Sequence, residues 1–186
     1  MKIMQHVNEH IETIEQTFDQ LFVTKIENTG LMISEKIQAG GKIFLMGNGG
    51  SAADAQHIAA EFISKLSRDR IPLPAMALTV DTSAITAISN DYGYKNIFSR
   101  QILGLCSRHD VVLGISTSGT SSNIITGFQA AAKLGAVTIG LSGQEGFSEF
   151  QPDVTLKVIS EVTARIQEAH ILIGHLLCGV AERPYV

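Results

Sequence analysis

A histidine and a glutamate are spaced so that they could do chemistry together. His57 and Glu61 lie four residues apart in the run GNGGSAADAQHIAAEF, where a glycine-rich turn leads into a helical stretch. Residues i and i+4 project from the same face of a helix, so this pair can chelate a metal or place a base beside an acid. The same pair on a solvated surface would be only an exposed polar contact, and the spacing alone leaves both interpretations open.

Further polar side chains are embedded in an apolar run near the carboxyl end of the chain. TARIQEAHILIGHLLCGV places Gln167, Glu168, His170 and His175 among Ile, Leu and Val. A histidine in such a stretch needs a partner, because burying an unsatisfied polar group is costly. It could be a ligand or a core histidine bonded to a carbonyl. Helix periodicity aligns Glu168 with His175, whereas Gln167 is turned from His175 by about 80°, so geometry alone favours Glu168 as the partner of His175.

A hydroxyl-rich turn is the candidate phosphate site. STSGTSS, from Ser116 to Ser122, precedes the helical run NIITGFQAAAKLG. Free N–H groups at a helix start, its positive dipole end and rotatable hydroxyls together suit a phosphate without a lysine or arginine. The alternative is an ordinary Ser/Thr-capped turn. The earlier turn, GNGGS, lacks the spacing of a nucleotide fingerprint, so its glycines are expected to let the backbone approach a small ligand or adopt positive φ.

The elements that must hold these residues alternate along the chain. Short apolar, β-branched runs separate helical stretches: KIFLMG, AMALTV, DVVLGIST, AVTIGLSG and VTLKVIS. This pattern predicts an α/β fold with a parallel sheet covered on both faces, a three-layer sandwich. Both Gly/Ser turns follow strands, and ligands bind outside the carboxyl ends of strands in such sheets.

The amino-terminal part of the chain reads as helix. Residues 3 to 38 carry apolar positions at helical spacing and end in AGG, which predicts one long or two shorter helices. Their apolar stripe precedes every strand, so we expect residues 1–38 to pack between subunits rather than on their own sheet. A length of 186 residues and the lack of a Pro/Ser-rich linker suit one domain over residues 1–186.

Charge and composition restrict the kinds of partner that the protein is expected to bind. A net charge of -4 offers no basic field for nucleic acid or an anionic membrane, and any anionic ligand must be held by local groups. The longest apolar run, ILIGHLLCGV, is too short to span a bilayer, and no apolar leader is present, so a cytoplasmic protein is expected. Cys106 and Cys178 match no ligand or redox spacing and are expected to be reduced.

Four motifs taken together carry a family resemblance. GNGGSAADAQHIAAEF, AISNDYGYKNIFSR, GISTSGTSSN and RIQEAHILIGH occur in this order and resemble the phosphoheptose isomerases of the sugar-isomerase (SIS) superfamily over nearly the whole chain. The resemblance implies a five-stranded parallel, flavodoxin-like sheet and a homotetramer with active sites near subunit contacts. It also implies a divalent metal, usually zinc. The implied reaction converts D-sedoheptulose 7-phosphate, a phosphorylated seven-carbon sugar, to D-glycero-D-manno-heptose 7-phosphate.

The resemblance also assigns roles to residues. It implies Glu61 and His175 as the acid/base pair and a metal held by His57, Glu61, Gln167 and His175. The resemblance thus assigns the ligand position to Gln167, which would also face the substrate, whereas helix periodicity favours Glu168 as the partner of His175. The positions implied to bind phosphate and sugar are Ser51, Ser116, Thr117, Ser118 and Ser121, with Asn48, Gly49, Gly50, Asn90 and Asp91 around the open-chain sugar.

Two other functions stay open at this point. A non-catalytic SIS-domain relative that associates with the replication initiator shares the Ser/Gly turns, but the presence of Glu61 and His175 favours an enzyme. An isomerase of another phosphosugar, such as an arabinose or hexulose phosphate, is the second alternative. Three departures from the family pattern, Lys65, Thr120 and Ala164, bear on the choice of sugar.

Overall fold

The computed structural model describes residues 2–186, and its elements follow the predicted alternation. The strands are β1 (Ile43–Gly47), β2 (Ala75–Ala77), β3 (Val111–Ser116), β4 (Val137–Ser142) and β5 (Val154–Lys157). The helices are α1 (Ile3–Thr17), α2 (Gln20–Gln38), α3 (Gly50–Ile63), α4 (Thr82–Tyr92), α5 (Ile97–Leu105), α6 (Ser122–Leu134) and α7 (Thr163–Ala181), with short 3₁₀ turns at Tyr94–Asn96 and Arg183–Tyr185.

All five strands form one parallel sheet in the order β2-β1-β3-β4-β5. Alternate side chains enter opposite layers: Ile43 and Leu45 meet helices α2, α3 and α7, whereas Phe44 and Met46 meet α5 and α6. Burial on both faces explains why the strands read as continuous apolar runs. The predicted α/β three-layer sandwich is confirmed.

The strand order fixes where a ligand can bind. Winding reverses between β1 and β3, and the register pairs Gly47 with Ile115, so the carboxyl ends of these strands lie side by side. In a doubly wound sheet of this order the binding crevice opens at that reversal. The glycine turn after β1 and the hydroxyl turn after β3 therefore meet at one place.

The two amino-terminal helices behave differently. Helix α2 packs on its own chain, with Ile33 and Ile37 in the core and Gly30 so close to α7 that an added methyl would lie 2.6 Å from Val180 Cβ. The expectation that both helices lie off their own sheet is wrong for α2, because its apolar stripe covers α7 and the sheet. Helix α1 instead leaves large apolar side chains exposed: Ile3, Met4, Val7 and Ile11. Within residues 2–186, no helix has the length and apolar character needed to cross a bilayer.

Candidate active site

A tight turn links β1 to the helix that carries the first two candidate ligands. Gly49 adopts a φ of 55°, a region that favours glycine, and α3 begins at the next residue. A methyl at Gly47 would lie 2.2 Å from the Ser51 carbonyl oxygen, so the chain could not fold back this closely with a larger residue. The glycines of GNGGS thus set the direction of α3, and Ser51 is buried in its first turn.

Helix α7 crosses α3 closely enough to bring three candidate residues together. His57 Nε2 lies 2.9 Å from His175 Nε2 and 3.3 Å from Glu61 Oε1. One ligand atom from each of the three residues lies within 4.8 Å of the others. The cluster is open on one side, with the His57 side chain 51% exposed and that of Glu61 22% exposed. The i, i+4 pair on α3 therefore meets the histidine on α7.

The donor set suits a transition metal. Two Nε2 atoms at hydrogen-bonding distance can share only one proton, so at least one imidazole directs a lone pair into the cluster. Two imidazole nitrogens and a carboxylate oxygen are a common set of protein ligands for catalytic zinc, which keeps a further position for water or substrate. The described residues therefore fit a divalent metal.

A second carboxylate lies one turn before His57 on α3. Burial raises the pKa of Asp54, while the nearby His57 acts to lower it. In the described part of the chain, Asp54 Oδ2 is a buried oxygen with no hydrogen-bond partner. Sequence analysis did not single out this residue, because an aspartate in the first turns of a helix carries no distinctive pattern.

Gln167 and Glu168 face different neighbours. A methyl at Gly50 would lie 2.6 Å from Gln167 Nε2, so the Gln167 amide covers the start of α3. The Glu168 carboxylate accepts hydrogen bonds from Arg165 and, at 2.7 Å, from His10 Nδ1 on α1. Burial opposes ionisation of Glu168, but these two bonds outweigh it and hold its pKa below the usual value. The periodicity-based choice of Glu168 as partner of His175 is wrong, because periodicity does not tell which helix faces each residue.

His170 is a core histidine. Its ring is fully buried, and Nε2 donates to the Ser142 carbonyl oxygen at 3.1 Å. Burial lowers the pKa of His170 to about 4, although the bond to Ser142 acts in the opposite direction. The residue therefore stays neutral and takes no part in the cluster.

The hydroxyls of the second turn bond to one another. Ser116 Oγ lies 2.9 Å from Ser121 Oγ and accepts from the Gly119 N–H at 3.2 Å, and Ser118 Oγ lies 3.0 Å from Thr120 Oγ1. Ser121 occupies the N-cap position of α6, yet its side chain makes no capping hydrogen bond. The ordinary Ser/Thr-capped turn is therefore not what forms, and rotatable hydroxyls gather at the positive end of α6.

An amide pair joins the two turns. Asn48 and Asn123 exchange hydrogen bonds of 2.9 and 2.8 Å, and the Tyr94 hydroxyl donates to Asn48 Oδ1 at 2.9 Å. Asn123 is 2% exposed. Sequence analysis did not single out Asn123 or Tyr94, although both lie inside motifs that carry the family resemblance. Their function depends on a contact between distant parts of the chain that no local pattern encodes.

The other predicted substrate residues lie at the margin. Asn90 and Asp91 are exposed on α4, and Asn90 Nδ2 donates to Asp91 Oδ1 at 2.8 Å; the described hydrogen bonds do not link either side chain to the rest of the candidate site. Thr117 and Ser118 line a cavity of about 270 Å³ beside α7. Of the family departures, Lys65 is exposed just beyond α3 and Ala164 is exposed at the start of α7.

A larger cavity than the one lined by Thr117 and Ser118 lies elsewhere. A groove of about 590 Å³ lies between α1 and α7, lined by Ile3, Val7 and the paired Glu168 and Arg165 among others. Its ionisable groups already have partners within the chain, whereas those of the His57 cluster converge on one point. We therefore assign the candidate active site to the cluster of His57, Glu61 and His175, not to this groove.

The SIS domain family model matches residues 5–143, so the doubly wound parallel sheet with a hydroxyl turn at its switch point is that of a SIS domain. The chain is 46% identical over 183 residues to a phosphoheptose isomerase of Clostridium acetobutylicum, covering 97% of this chain and 93% of that protein. A solved phosphoheptose isomerase structure from Francisella tularensis superposes with a TM-score of 0.90 at 33% identity, covering 98% of this chain and 97% of that one. Another, from Neisseria gonorrhoeae, gives 0.88 at 40% identity, with 97% of both chains covered.

The chain therefore belongs to the phosphoheptose isomerase family. This confirms the resemblance of the four motifs, and it makes the chain a sugar-phosphate isomerase and not a non-catalytic SIS-domain protein.

Proposed function

We propose that the chain converts D-sedoheptulose 7-phosphate to D-glycero-D-manno-heptose 7-phosphate, with Glu61 and His175 moving the proton. The observation that carries this proposal is the convergence of the Glu61 carboxylate and the two imidazoles of His57 and His175 between α3 and α7. The names of the family relatives support the same substrate class.

The reaction needs one base and one acid close to two adjacent carbons. A base removes a proton from C1 of the ketose, the carbonyl oxygen at C2 gains a proton, and the resulting enediol takes up a proton at C2 while the C1 oxygen loses its own. Glu61 and His175 can each give or accept one proton, and both residues are partly exposed. A positioned acid or base of this kind typically contributes about 10²–10⁴ in rate.

The metal of the proposed enzyme is zinc, held by His57, Glu61 and His175. The family resemblance adds Gln167, whose amide covers Gly50 at the start of α3, as a fourth ligand. When bound, a divalent ion would polarise the sugar carbonyl and stabilise negative charge on adjacent oxygens. The carboxylate and imidazoles of the chain then orient the substrate and move its protons.

The phosphate of the substrate binds in the hydroxyl turn. Ser116, Thr117, Ser118 and Ser121 surround the start of α6, where the uncapped N–H groups and the helix dipole favour an anion. The open-chain sugar then passes Gly49 and Gly50 toward the cluster, with Ser51 and Asn48 beside it and Asn90 and Asp91 at the margin. The acidic chain thus holds an anionic substrate by local groups.

The enzyme acts as a homo-oligomer, in our proposal a tetramer in the cytoplasm. Support comes from the exposed apolar side chains of α1 and from the one-sided opening of the cluster, which a second copy could close. Both cysteines are free, and burial raises the pKa of Cys106 to about 11 and that of Cys178 to about 12, which keeps the thiols protonated. Unreactive free thiols suit a reducing compartment.

The test is turnover of sedoheptulose 7-phosphate by the wild type, Glu61→Gln and His175→Gln at matched metal content. Both substitutions keep side-chain size roughly similar but remove a proton acceptor, so turnover should fall by about 10²–10⁴. His109→Gln, which changes an exposed histidine outside the cluster, is the control and should match the wild type. Removing the metal with a chelator should abolish turnover, and adding zinc should restore it.

Activity of either cluster variant within threefold of the wild type would overturn the catalytic assignment. A panel of five- and six-carbon ketose phosphates decides the substrate, because Lys65, Thr120 and Ala164 are the departures from the family pattern. If the wild type preferred a shorter sugar phosphate, that sugar would replace the heptose phosphate as the proposed substrate.

A further inference from the structure

An arginine with a fully buried side chain, Arg70, lies on the loop that follows α3. The side chain of Arg70 is 0% exposed and forms an ion pair of 2.8 Å with Glu182, whose own side chain is 4% exposed. Removing two charges from water is costly, so a buried pair is weak support for stability by itself. The hydrogen bonds of the guanidinium show what the pair holds in place.

The guanidinium binds the last turn of α3. Its Nη2 donates to the Glu61 carbonyl oxygen at 2.8 Å, and its Nη1 donates to the carbonyl oxygens of Phe62 at 2.8 Å and Ile71 at 3.0 Å. The last carbonyls of a helix have no partner within the helix, and a cation there also opposes the negative end of the helix dipole. Arg70 therefore fixes the backbone of the residue whose carboxylate belongs to the cluster.

The same guanidinium reaches the other helix of the site. Glu182 directly follows α7, accepts from Arg70 Nε through Oε2 at 2.8 Å and from the Ser67 hydroxyl through Oε1 at 3.2 Å. The planar guanidinium thus joins the ends of two helices. One is α3, the helix that carries Glu61, and the other is α7, the helix that carries His175. The three N–H donors of a lysine ammonium share one nitrogen, so they cannot reproduce the planar fork in which Nε, Nη1 and Nη2 each reach a different acceptor.

We infer that Arg70, oriented by Glu182, is a positioning residue for the active site that holds Glu61 in register with His57 and His175. The inference rests on the proposed role of Glu61 as ligand and proton carrier. Arg70 touches neither substrate nor metal in this assignment, and it acts through the backbone of Glu61.

The experiment compares Arg70→Lys and the double variant Arg70→Met/Glu182→Met with the wild type. The double variant removes both buried charges and should therefore still fold, because apolar replacement of a buried pair is often neutral, but its melting temperature should fall somewhat since carbonyl oxygens of α3 lose their donors. Both variants leave the carbonyl oxygens of Glu61 and Phe62 without the hydrogen bonds that the guanidinium donates. Binding of Co²⁺ alone, followed by its visible absorption, should weaken by about 10–100-fold, the range typical of residues that support metal ligands.

Turnover supplies the second readout. In both variants kcat should fall by about 10–100-fold while KM stays within about threefold, because the phosphate turn lies on other elements. Arg183→Met is the matched control: it removes an arginine from an ion pair with Glu27 whose side chains are 55% and 49% exposed, and it should change neither quantity.

A purely structural role predicts a different outcome. Co²⁺ affinity and kcat within threefold of the wild type in a folded Arg70→Lys or double variant would overturn the inference, whatever the melting temperature. A wild type that binds Co²⁺ but turns over no heptose phosphate would contradict the proposed function, and metal affinity alone would then decide the role of Arg70. A wild type with neither property would overturn both.

Discussion

Gly174 and Ile58 lie in contact where α7 crosses α3, and a methyl on Gly174 would stand 2.3 Å from Ile58 Cδ1. Their chain neighbours are His175 and His57, so this close contact between the two helices lies directly beside the place where the imidazoles meet. The absence of a side chain at residue 174 therefore sets the distance between the two halves of the cluster.

Gly174→Ala should separate the halves of the site. Relieving the overlap requires a shift of α7 or of Ile58, with a cost to stability of about 1–3 kcal/mol, and a small misplacement of catalytic groups can lower kcat by about 10²-fold. Gly179→Ala on the same helix is the control, because its methyl would meet Leu66 at an ordinary 3.4 Å. Turnover and thermal unfolding of Gly174→Ala and Gly179→Ala test this prediction. Equal kcat in the two variants would show that the distance between α3 and α7 at Gly174 is unimportant for activity.

Ser118→Ala and Ser121→Ala should weaken binding of the phosphate. Losing one hydrogen bond to a charged oxygen costs about 1.5–3 kcal/mol, so KM should rise roughly ten- to a hundredfold at 1.4 kcal/mol per decade. Thr24→Ala, which removes an exposed hydroxyl from α2, is the control. Unchanged KM together with unchanged binding of inorganic phosphate would exclude the hydroxyl turn as the phosphate site.

Tyr94→Phe should loosen the amide pair that joins the two turns. The variant loses one hydrogen bond to Asn48 Oδ1, worth about 0.5–1.5 kcal/mol, so kcat/KM should fall roughly two- to tenfold. Tyr92→Phe is a matched control, because the Tyr92 ring stacks on Arg100 at 3.6 Å and that contact needs no hydroxyl. Identical kcat/KM values for the two variants would contradict the assignment of Asn48 to the substrate site.

His170 should make stability depend on pH between about 6.5 and 4. Burial lowers its pKa to about 4, whereas the unfolded chain takes up the proton near 6.5, so protonation favours unfolding. The contribution is fully present above pH 6.5 and is lost as the pH falls to about 4, a change on the order of 3 kcal/mol. Denaturant unfolding of wild type and His170→Gln should give a flatter profile for the variant, with exposed His109→Gln as control. Parallel profiles would contradict a buried neutral histidine.

The exposed side chains of α1 should hold subunits together. Replacing Ile3, Val7 and Ile11 by serine removes the apolar stripe but leaves the core residues of α2 in place, so a folded but smaller species is expected. Deleting both helices would be a poor test, because Ile33 belongs to the core. Light scattering measures the assembly, and Glu12→Ala/Gln16→Ala on exposed positions of α1 is the control. An unchanged mass for the triple variant would place the subunit contact elsewhere.

Local pattern predicted the elements and placed two of the three cluster residues on one helix face. Alternation of apolar runs gave the five strands, and i, i+4 spacing put His57 and Glu61 on one face, because both patterns depend on neighbours in the chain. The same reasoning chose Glu168 over Gln167, since periodicity describes one helix and not the helix that crosses it. Arg70 was missed for a related reason: its partners are carbonyl oxygens and a glutamate more than a hundred residues away, and neither leaves a mark on the sequence around it.

The position of α7 in chain order has a consequence for biosynthesis. All five strands and α3 precede α7, so a chain still being translated can pair its sheet while it lacks His175 and the apolar residues that cover one sheet face, Ile173 and Leu177 among them. A chain terminated before α7 would contain His57 and Glu61 of α3 but would lack His175. If the cluster holds the proposed metal, competence to bind it would therefore arise only after α7 has been synthesised, and chains terminated before α7 would not compete for the metal.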